Sequence, residues 1–179
     1  MTCVIRQANA NDHPTIRRVV AAAFRSDAEA ELVGRIRASP EYEPSMELVA
    51  ELDDPGVVGH VMISRALLQS PDGSNRSIVM LSPLAVDPAA QGMGVGGALV
   101  RAVTTIADER GEPLVVLEGN PAYYSRFGFV AAAEHEITLP LPDWAPSAAG
   151  QVMLLSSYDA ADTTLRGTVA YPAAFDGLD

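Results

Sequence analysis

The sequence predicts an α/β protein with a mixed sheet, in which mostly antiparallel N-terminal strands and a central parallel pair are flanked by helices. Two patterns carry this prediction. Alternating apolar residues at 46–52 and 57–68 are separated by the turn sequence Asp-Asp-Pro-Gly, which is typical of an antiparallel hairpin. The apolar segments 78–86 and 114–117 enclose a helical segment of about 95–110, which is the arrangement of a right-handed βαβ unit with parallel strands.

Ahead of the hairpin, the sequence predicts one strand and two helices. Residues 4–8 alternate like a short strand, and the helix that follows has Pro14 at an early position, where the missing N–H of proline does no harm. The apolar residues of this helix recur at helical spacing: Ile16, Val19, Val20, Ala23 and Phe24. A second helix is predicted at about 28–38, followed by a loop at 39–45 that contains two prolines.

Beyond the βαβ unit, the sequence predicts shorter elements. Residues 121–128 form a short helix that proline starts and glycine stops. Strands are predicted at 136–139 and 152–158, and the loop 140–146 between them carries the single tryptophan. Residues 168–171 complete the predicted strands, and no internal repeat or linker interrupts the chain.

The composition predicts one domain. A chain of 179 residues with 48% apolar content suits a single core, placed at about 3–158 with a C-terminal strand and tail at 159–179. The sequence has no 18-residue apolar run and no signal-peptide layout. Cys3 is the single cysteine, which excludes an intramolecular disulfide and a cysteine metal cluster. We therefore expect a cytoplasmic protein with no membrane partner and no bound metal.

The charge of the chain bears on its partners. With 12 basic and 23 acidic residues, the formal net charge is −11. Such an excess of negative charge argues against nonspecific binding to nucleic acid, because the phosphate backbone is repelled. It favours a cationic co-substrate such as an amine.

A cluster of glycines follows the first strand of the βαβ unit. A helix start with several glycines is less stable than one with alanines, since each glycine loses more backbone freedom on folding. The cluster here is Gly92-Met93-Gly94-Val95-Gly96-Gly97. The first turn of a helix carries unpaired N–H groups and a partial positive charge. Glycines allow a phosphate to approach these groups, so the sequence predicts a phosphorylated ligand at residues 91–98.

Two other kinds of nucleotide-binding site also contain a glycine-rich turn. The cluster also fits G-x-G-x-x-G, but the dinucleotide fingerprint joins strand and helix through a very tight turn. Here the five residues 87–91 lie between the strand and the first glycine. A phosphate-binding loop of the Walker type requires lysine, and this chain has none.

Two motifs of this sequence resemble those of a known family. Leu-Ala-Val-Asp-Pro at 84–88, followed by Gln-Gly-Met-Gly-Val-Gly at 91–96, resembles the acetyl-CoA motif of the GNAT superfamily of N-acetyltransferases, Gln/Arg-x-x-Gly-x-Gly/Ala after an apolar strand. Tyr-Ser-Arg-Phe-Gly-Phe at 124–129 is similar to the family's second landmark, Tyr-x-x-Phe-Gly-Phe. The two landmarks lie about one helix and one strand apart, as in the family. The form of the second landmark is similar to that of the YhbS-type branch.

The resemblance implies acetyl-CoA as the co-substrate and a splayed parallel pair that admits its pantetheine arm. Backbone groups of Leu84, Ala85 and Val86 would bind the pantetheine. Gln91 would hold the turn or approach the pyrophosphate, and Asn120 would bond the pantetheine amide or cap its helix. The pyrophosphate would accept hydrogen bonds from the backbone N–H groups of Gly92, Met93, Gly94, Val95, Gly96 and Gly97.

The reaction implied by the resemblance is direct attack of a primary amine of a small molecule or peptide on the thioester. The amine, with a pKa of about 10.4 if it is like lysine, must lose a proton, and the departing thiolate must gain one. The oxyanion would be stabilised by a backbone N–H within 84–86. Tyr124, by its spacing from Phe-Gly-Phe, is the implied proton donor to the sulfur, while Tyr123 lies about 100° round the helix.

Several points stay open in the sequence. The general base is His60, Glu118, Ser82 or an ordered water, and nothing in the pattern selects one. The acceptor and the length of the acyl group are equally open, and the sequence is compatible with a homodimer. A non-catalytic module that binds or senses acyl-CoA is the alternative function, but such a module has no need of a proton donor such as Tyr124.

Overall fold

The computed structural model describes residues 2–178. The strands are β1 Cys3–Gln7, β2 Glu47–Leu52, β3 Gly56–Gln69, β4 Asn75–Val86, β5 Leu114–Glu118, β6 Val130–Ala131, β7 Ile137–Thr138, β8 Gly150–Leu154 and β9 Gly167–Ala170. The α-helices are α1 His13–Phe24, α2 Ala28–Arg37, α3 Val95–Glu109 and α4 Pro121–Tyr124. Between residues 2 and 178, no helix is both long enough and apolar enough to cross a membrane.

The described residues fall into two compact units. The N-terminal unit contains the residues up to Ser64, residues 81–106 and Leu178, and the C-terminal unit contains residues 65–80 and 107–177. The chain passes from one unit to the other within β3, β4 and α3. The organisation as one domain stays a prediction.

Strands β1, β2 and β3 are antiparallel neighbours in the N-terminal unit. The register places Ile5 opposite Ala50 and Val49 opposite His60, which confirms the predicted hairpin. Asp87 N donates a hydrogen bond of 2.8 Å to Val58 O, so the end of β4 lies against the start of β3.

Helix α3 packs closely on β3 at one glycine. A Cβ atom added at Gly59 would lie 2.9 Å from both Val95 Cγ1 and Leu99 Cδ1, which is closer than such atoms approach. Only glycine therefore permits the start of α3 to lie this near the strand. The core of the unit also includes fully buried residues of α1 and α2: Ile16, Val19, Val20, Leu32, Val33 and Ile36.

The C-terminal unit contains the parallel pair. Val79 of β4 lies opposite Val115 of β5, and Met80 lies opposite Val116, which confirms the predicted βαβ unit. Strand β5 continues the sheet to β8 and then β6, both in antiparallel ladders. Strand β9 pairs antiparallel with the end of β3, and β7 pairs parallel with β9. The mixed sheet with flanking helices confirms the predicted fold class.

The ends of the C-terminal strands differ from the prediction. The strand predicted at 152–158 is β8, which ends at Leu154. There Leu155 N donates to Pro113 O, while the backbone N–H and hydroxyl of Ser156 donate to the Asp108 carboxylate at 2.8 and 2.9 Å. These hydrogen bonds take the place of backbone hydrogen bonds between strands, because short polar side chains and carboxylates can bind the backbone groups that a sheet would otherwise pair. The segment predicted at 136–139 forms only the two-residue strand β7.

Candidate active site

The C-terminal half of β4 presents backbone groups along one edge. Within residues 2–178, the parallel ladder with β5 has no pair beyond Met80–Val116, although β4 continues to Val86. Ala85 is buried, whereas Leu84 and Val86 are half-buried. A strand edge of this kind can take a ligand that hydrogen-bonds like an additional strand. Ser82 lies half-buried on the same segment.

The turn after β4 is held by side chains. Asp87 Oδ1 accepts a hydrogen bond from Ala89 N at 3.0 Å, and its Oδ2 accepts one from Arg18 of α1 at 2.9 Å. The side-chain amide of Gln91 donates to Val86 O at 3.1 Å. Of the two roles expected for Gln91, the structure therefore shows the one in which its amide holds the turn.

The glycine segment has a backbone that favours glycine. Gly92 and Gly94 have φ angles of +79° and +83°, in the left-handed region, and an added Cβ at either residue would meet nothing within 4 Å. Backbone conformation, and not packing, is thus the reason for glycine at these two positions. Met93 between them is about half exposed, at 52%.

The first turn of α3 leaves N–H groups unpaired within the helix. The hydrogen bond from Ala98 N to Gly94 O, 3.0 Å long, closes the first turn. Val95, Gly96 and Gly97 precede Ala98, so their N–H groups have no intrahelical partner four residues earlier. Together with the partial positive charge of the helix start, these groups form a site suited to an anionic phosphate.

In the C-terminal unit, Asn120 and Gly119 set the position of Tyr124. Asn120 Oδ1 accepts a hydrogen bond from Ala122 N at 2.9 Å, so Asn120 caps α4, and Pro121 occupies the first helical position. A Cβ atom added at Gly119 would lie 2.4 Å from Tyr124 Cε2. The ring of Tyr124 therefore packs directly on the backbone of residue 119, which must be glycine.

Aromatic neighbours enclose Tyr124 and affect its ionisation. Its ring makes edge contacts with Tyr123, at a centroid distance of 4.9 Å, and with Phe129, at 5.7 Å. Burial, with a further contribution from Tyr123, raises the pKa of Tyr124 to about 12. The phenol is thus protonated at neutral pH and can donate a proton, but it cannot act as a base.

His60 lies in a polar group of the N-terminal unit, which we name the Glu47 cluster: Glu47, Arg37, Tyr42 and His60. Glu47 and His60 are buried, whereas Arg37 and Tyr42 are half-buried. His60 Nε2 lies 3.0 Å from Glu47 Oε1, Tyr42 donates its hydroxyl to Oε2 at 2.5 Å, and Arg37 forms an ion pair with the same carboxylate. Complete burial lowers the pKa of His60 despite the opposing effect of Glu47. Because a carboxylate oxygen accepts, Nε2 of His60 donates the hydrogen of its bond to Glu47.

The Glu47 cluster predicts a loss of stability in acid. Burial by itself would raise the pKa of Glu47, but hydrogen bonds from His60, Arg37 and Tyr42 outweigh it and lower this pKa from 4.5 to about 2. The unfolded chain then binds the proton first, so the contribution of Glu47 is complete above about pH 4.5 and is lost as the pH falls toward 2. Urea unfolding measured across this range is expected to show that decline. It should be smaller in Glu47→Gln, and an equal decline in both proteins would contradict the assignment.

Glu118 has a partner that the sequence did not indicate. Tyr171, 53 residues further along the chain, donates its hydroxyl to Glu118 Oε1. Glu118 is exposed at the end of β5, directly before Gly119. The residues expected at the site thus lie in two contiguous groups, one at 84–97 in the N-terminal unit and one at 118–124 in the C-terminal unit.

Among residues 2–178, no group of three or more His, Cys, Asp or Glu side chains could hold a metal ion.

Comparison with known proteins assigns relatives to this chain. Residues 4–132 match the family model described as "Acetyltransferase (GNAT) domain". The chain is 37% identical over 131 residues to the uncharacterized N-acetyltransferase YhbS of Escherichia coli, covering 73% of this chain and 75% of that protein. It is 31% identical over 159 residues to the uncharacterized N-acetyltransferase YjhQ of E. coli, covering 89% and 86%.

Two solved structures are similar along nearly the whole chain. The crystal structure of E. coli YhbS in complex with CoA has a TM-score of 0.83 and 33% identity, and the match covers 99% of this chain and 93% of that one. The crystal structure of a GNAT family acetyltransferase from Brucella melitensis in complex with acetyl-CoA has a TM-score of 0.76 and 32% identity, and it covers 98% and 99%.

Proposed function

The chain belongs to the GNAT family of acetyltransferases, and on that basis we propose that it transfers an acetyl group from acetyl-CoA to a primary amine of a small molecule or peptide. The observation that carries the proposal is the glycine turn with positive φ at Gly92 and Gly94, which leads into the unpaired N–H groups at the start of α3. Such a turn is suited to the pyrophosphate of CoA. Relatives that match nearly the whole chain were crystallised with CoA and acetyl-CoA.

Each part of acetyl-CoA has residues suited to it. The N–H groups from Gly92 to Gly97 would bind the pyrophosphate, and Gln91 would keep the turn in shape through its bond to Val86 O. The open edge of β4 at 84–86 would bind the pantetheine arm as an additional strand does. Asn120 contributes indirectly, since its side chain caps α4 and so orients Tyr124.

Acetyl transfer includes proton transfers at the amine and at the sulfur. A primary amine must be neutral to attack the thioester, and the proton that it loses as the carbon–nitrogen bond forms passes to an ordered water. A backbone N–H within 84–86 would stabilise the oxyanion. As the carbon–sulfur bond breaks, Tyr124 donates its proton to the sulfur, on which negative charge develops. Tyr124 then regains a proton from water, so one acetyl group replaces one amine proton.

A screen of amines tests the function. We expect saturable release of the CoA thiol when acetyl-CoA is incubated with the protein and the correct amine. Acetyl-CoA binding in calorimetry without acetylation of any amine in a broad panel would instead favour a non-catalytic acyl-CoA-binding module. Binding of NAD in preference to CoA would reject both.

Substitution of Gly94 tests the cofactor site. Because the φ angle of Gly94 is +83°, alanine there adds strain of about 1–2 kcal/mol or moves the turn. We expect Gly94→Ala to weaken acetyl-CoA binding roughly tenfold in calorimetry. The matched control is Gly34→Ala in the exposed middle of α2, where an added Cβ meets nothing within 4 Å. This control should bind acetyl-CoA normally and be stabilised by about 0.5–1 kcal/mol. Equal affinities in both variants would argue against the glycine turn as the site.

A further inference from the structure

Glu118 is a polar residue at the end of a strand that is otherwise buried. Residues 114–117 of β5 are completely buried, whereas Glu118 is exposed. In open α/β sheets, ligands bind at the carboxyl ends of the parallel strands. A carboxylate at this position is therefore placed where a ligand is expected.

The carboxylate of Glu118 is held in one position by Tyr171. The Tyr171 hydroxyl donates to Oε1, and the Tyr171 ring packs against Phe175 at a centroid distance of 5.7 Å. Burial and the neighbouring carboxylate both raise the pKa of Tyr171, so its hydroxyl stays a donor. The Glu118 residue itself is exposed. Glu118 thus offers a carboxylate that Tyr171 holds through Oε1 and that solvent can reach.

Glu118 and Tyr124 lie on opposite sides of the strand end. The backbone of Gly119 is held by a bond from its N–H to Ala149 O and by one from Gln151 Nε2 to its carbonyl, each 3.0 Å. The ring of Tyr124 covers the position where a Gly119 side chain would lie. Successive residues of an extended chain point to opposite faces, so the side chain of Glu118 points away from Tyr124. If Tyr124 protonates the sulfur, an amine can approach from the side of Glu118.

The hydrogen bond from Tyr171 decides what this carboxylate can do. The bond fixes the position of the carboxylate. A carboxylate is already a poor base for an amine with a pKa near 10.4. A carboxylate held in place by Tyr171 is instead suited to bind an ammonium group.

We infer that Glu118, positioned by Tyr171, binds a positively charged second nitrogen of the acceptor, so that the acceptor class is a diamine or a similar amine with a second positive charge. This inference rests on the proposed acetyl transfer. A nitrogen that is bound as a cation has no free electron pair and cannot attack the thioester. The other nitrogen, which is neutral, therefore attacks the carbonyl carbon. The net charge of −11 agrees with a cationic acceptor.

Matched amines test the inference. Diaminobutane and butylamine have the same carbon chain and differ by the second nitrogen. Titrated in calorimetry into the full chain saturated with CoA, diaminobutane is expected to bind roughly tenfold or more tightly than butylamine. Glu118→Gln should abolish this preference without changing the affinity for butylamine. A preference that survives in Glu118→Gln, or the lack of any preference in the unaltered protein, would overturn the inference.

Two further variants separate charge recognition from folding. Tyr171→Phe keeps the ring and removes the donor, so it should reduce the preference for diaminobutane severalfold while leaving butylamine binding unchanged. Glu134→Gln removes one exposed carboxylate elsewhere in the same unit and should leave both affinities unchanged. If Glu134→Gln lowers the preference as much as Glu118→Gln does, the effect is general electrostatics and the inference is wrong.

Release of CoA thiol from acetyl-CoA, measured with the same proteins and amines, distinguishes the inference from the proposed function. Selective, Glu118-dependent binding of diaminobutane without acetylation of any amine would reject acetyl transfer and leave the cation site. Acetylation with no dependence on Glu118 would support acetyl transfer and reject the cation site. If Glu118→Gln lowers kcat equally for both amines and leaves KM unchanged, Glu118 is the general base and the cation site is rejected.

Discussion

Replacement of Tyr124 by phenylalanine is expected to lower kcat about a hundredfold or more, the usual contribution of a positioned general acid. Burial raises the pKa of Tyr124 to about 12, so the phenol is protonated at neutral pH. Phenylalanine keeps the contact with Gly119 and the edge contact with Phe129, and the local packing should survive. Steady-state CoA release should therefore fall while acetyl-CoA affinity in calorimetry stays the same.

Tyr123 supplies the matched control for this experiment. It precedes Tyr124 in the same short helix, and its ring is packed against the Arg126 guanidinium at 4.7 Å from the centroid. Tyr123→Phe removes a hydroxyl one residue away and should retain kcat within a few-fold. Unchanged turnover in Tyr124→Phe would reject Tyr124 as the proton donor. Equal losses in both variants would indicate a general disturbance of α4.

Replacement of Glu47 by alanine is expected to cost about 3–5 kcal/mol of unfolding free energy, because it leaves buried charged and polar groups without their partner. Glu47 has a side-chain exposure of 1%, and its carboxylate is shared by Arg37, Tyr42 and His60. For a chain of this size, the loss corresponds to a decrease in Tm of about 10 °C or more. Urea unfolding and scanning calorimetry at neutral pH measure both quantities.

Glu51 provides the control on the same strand. Its side chain is 42% exposed and forms an ion pair of 2.7 Å with Arg6. Exposed pairs contribute at most about 1 kcal/mol, so Glu51→Ala should change stability far less than Glu47→Ala. Similar losses in the two variants would show that the Glu47 cluster has no special part in stability.

Local patterns predicted most of the elements and the glycine turn after β4. The hairpin, the βαβ unit and the short helix before Gly128 depend on apolar periodicity and on turn residues a few positions apart, and the structure confirms them. The left-handed backbone at Gly92 and Gly94 is likewise a local property, since it needs only the absence of a Cβ atom. The end of β8 differs from the sequence prediction because Asp108, 48 residues before Ser156, accepts the hydrogen bond of its backbone N–H.

The sequence by itself determined the family and the fold class, and it predicts the cofactor-binding residues of the glycine turn and the role of Tyr124. Each of these depends on residues that lie close together along the chain. Only the tertiary structure decided the partners of the charged groups. Glu118 meets Tyr171 across 53 residues because β9 returns to pair with the end of β3. The register of β2 on β3 brings Glu47 beside His60. Contacts of this kind depend on strand register and on burial, which no short stretch of sequence encodes.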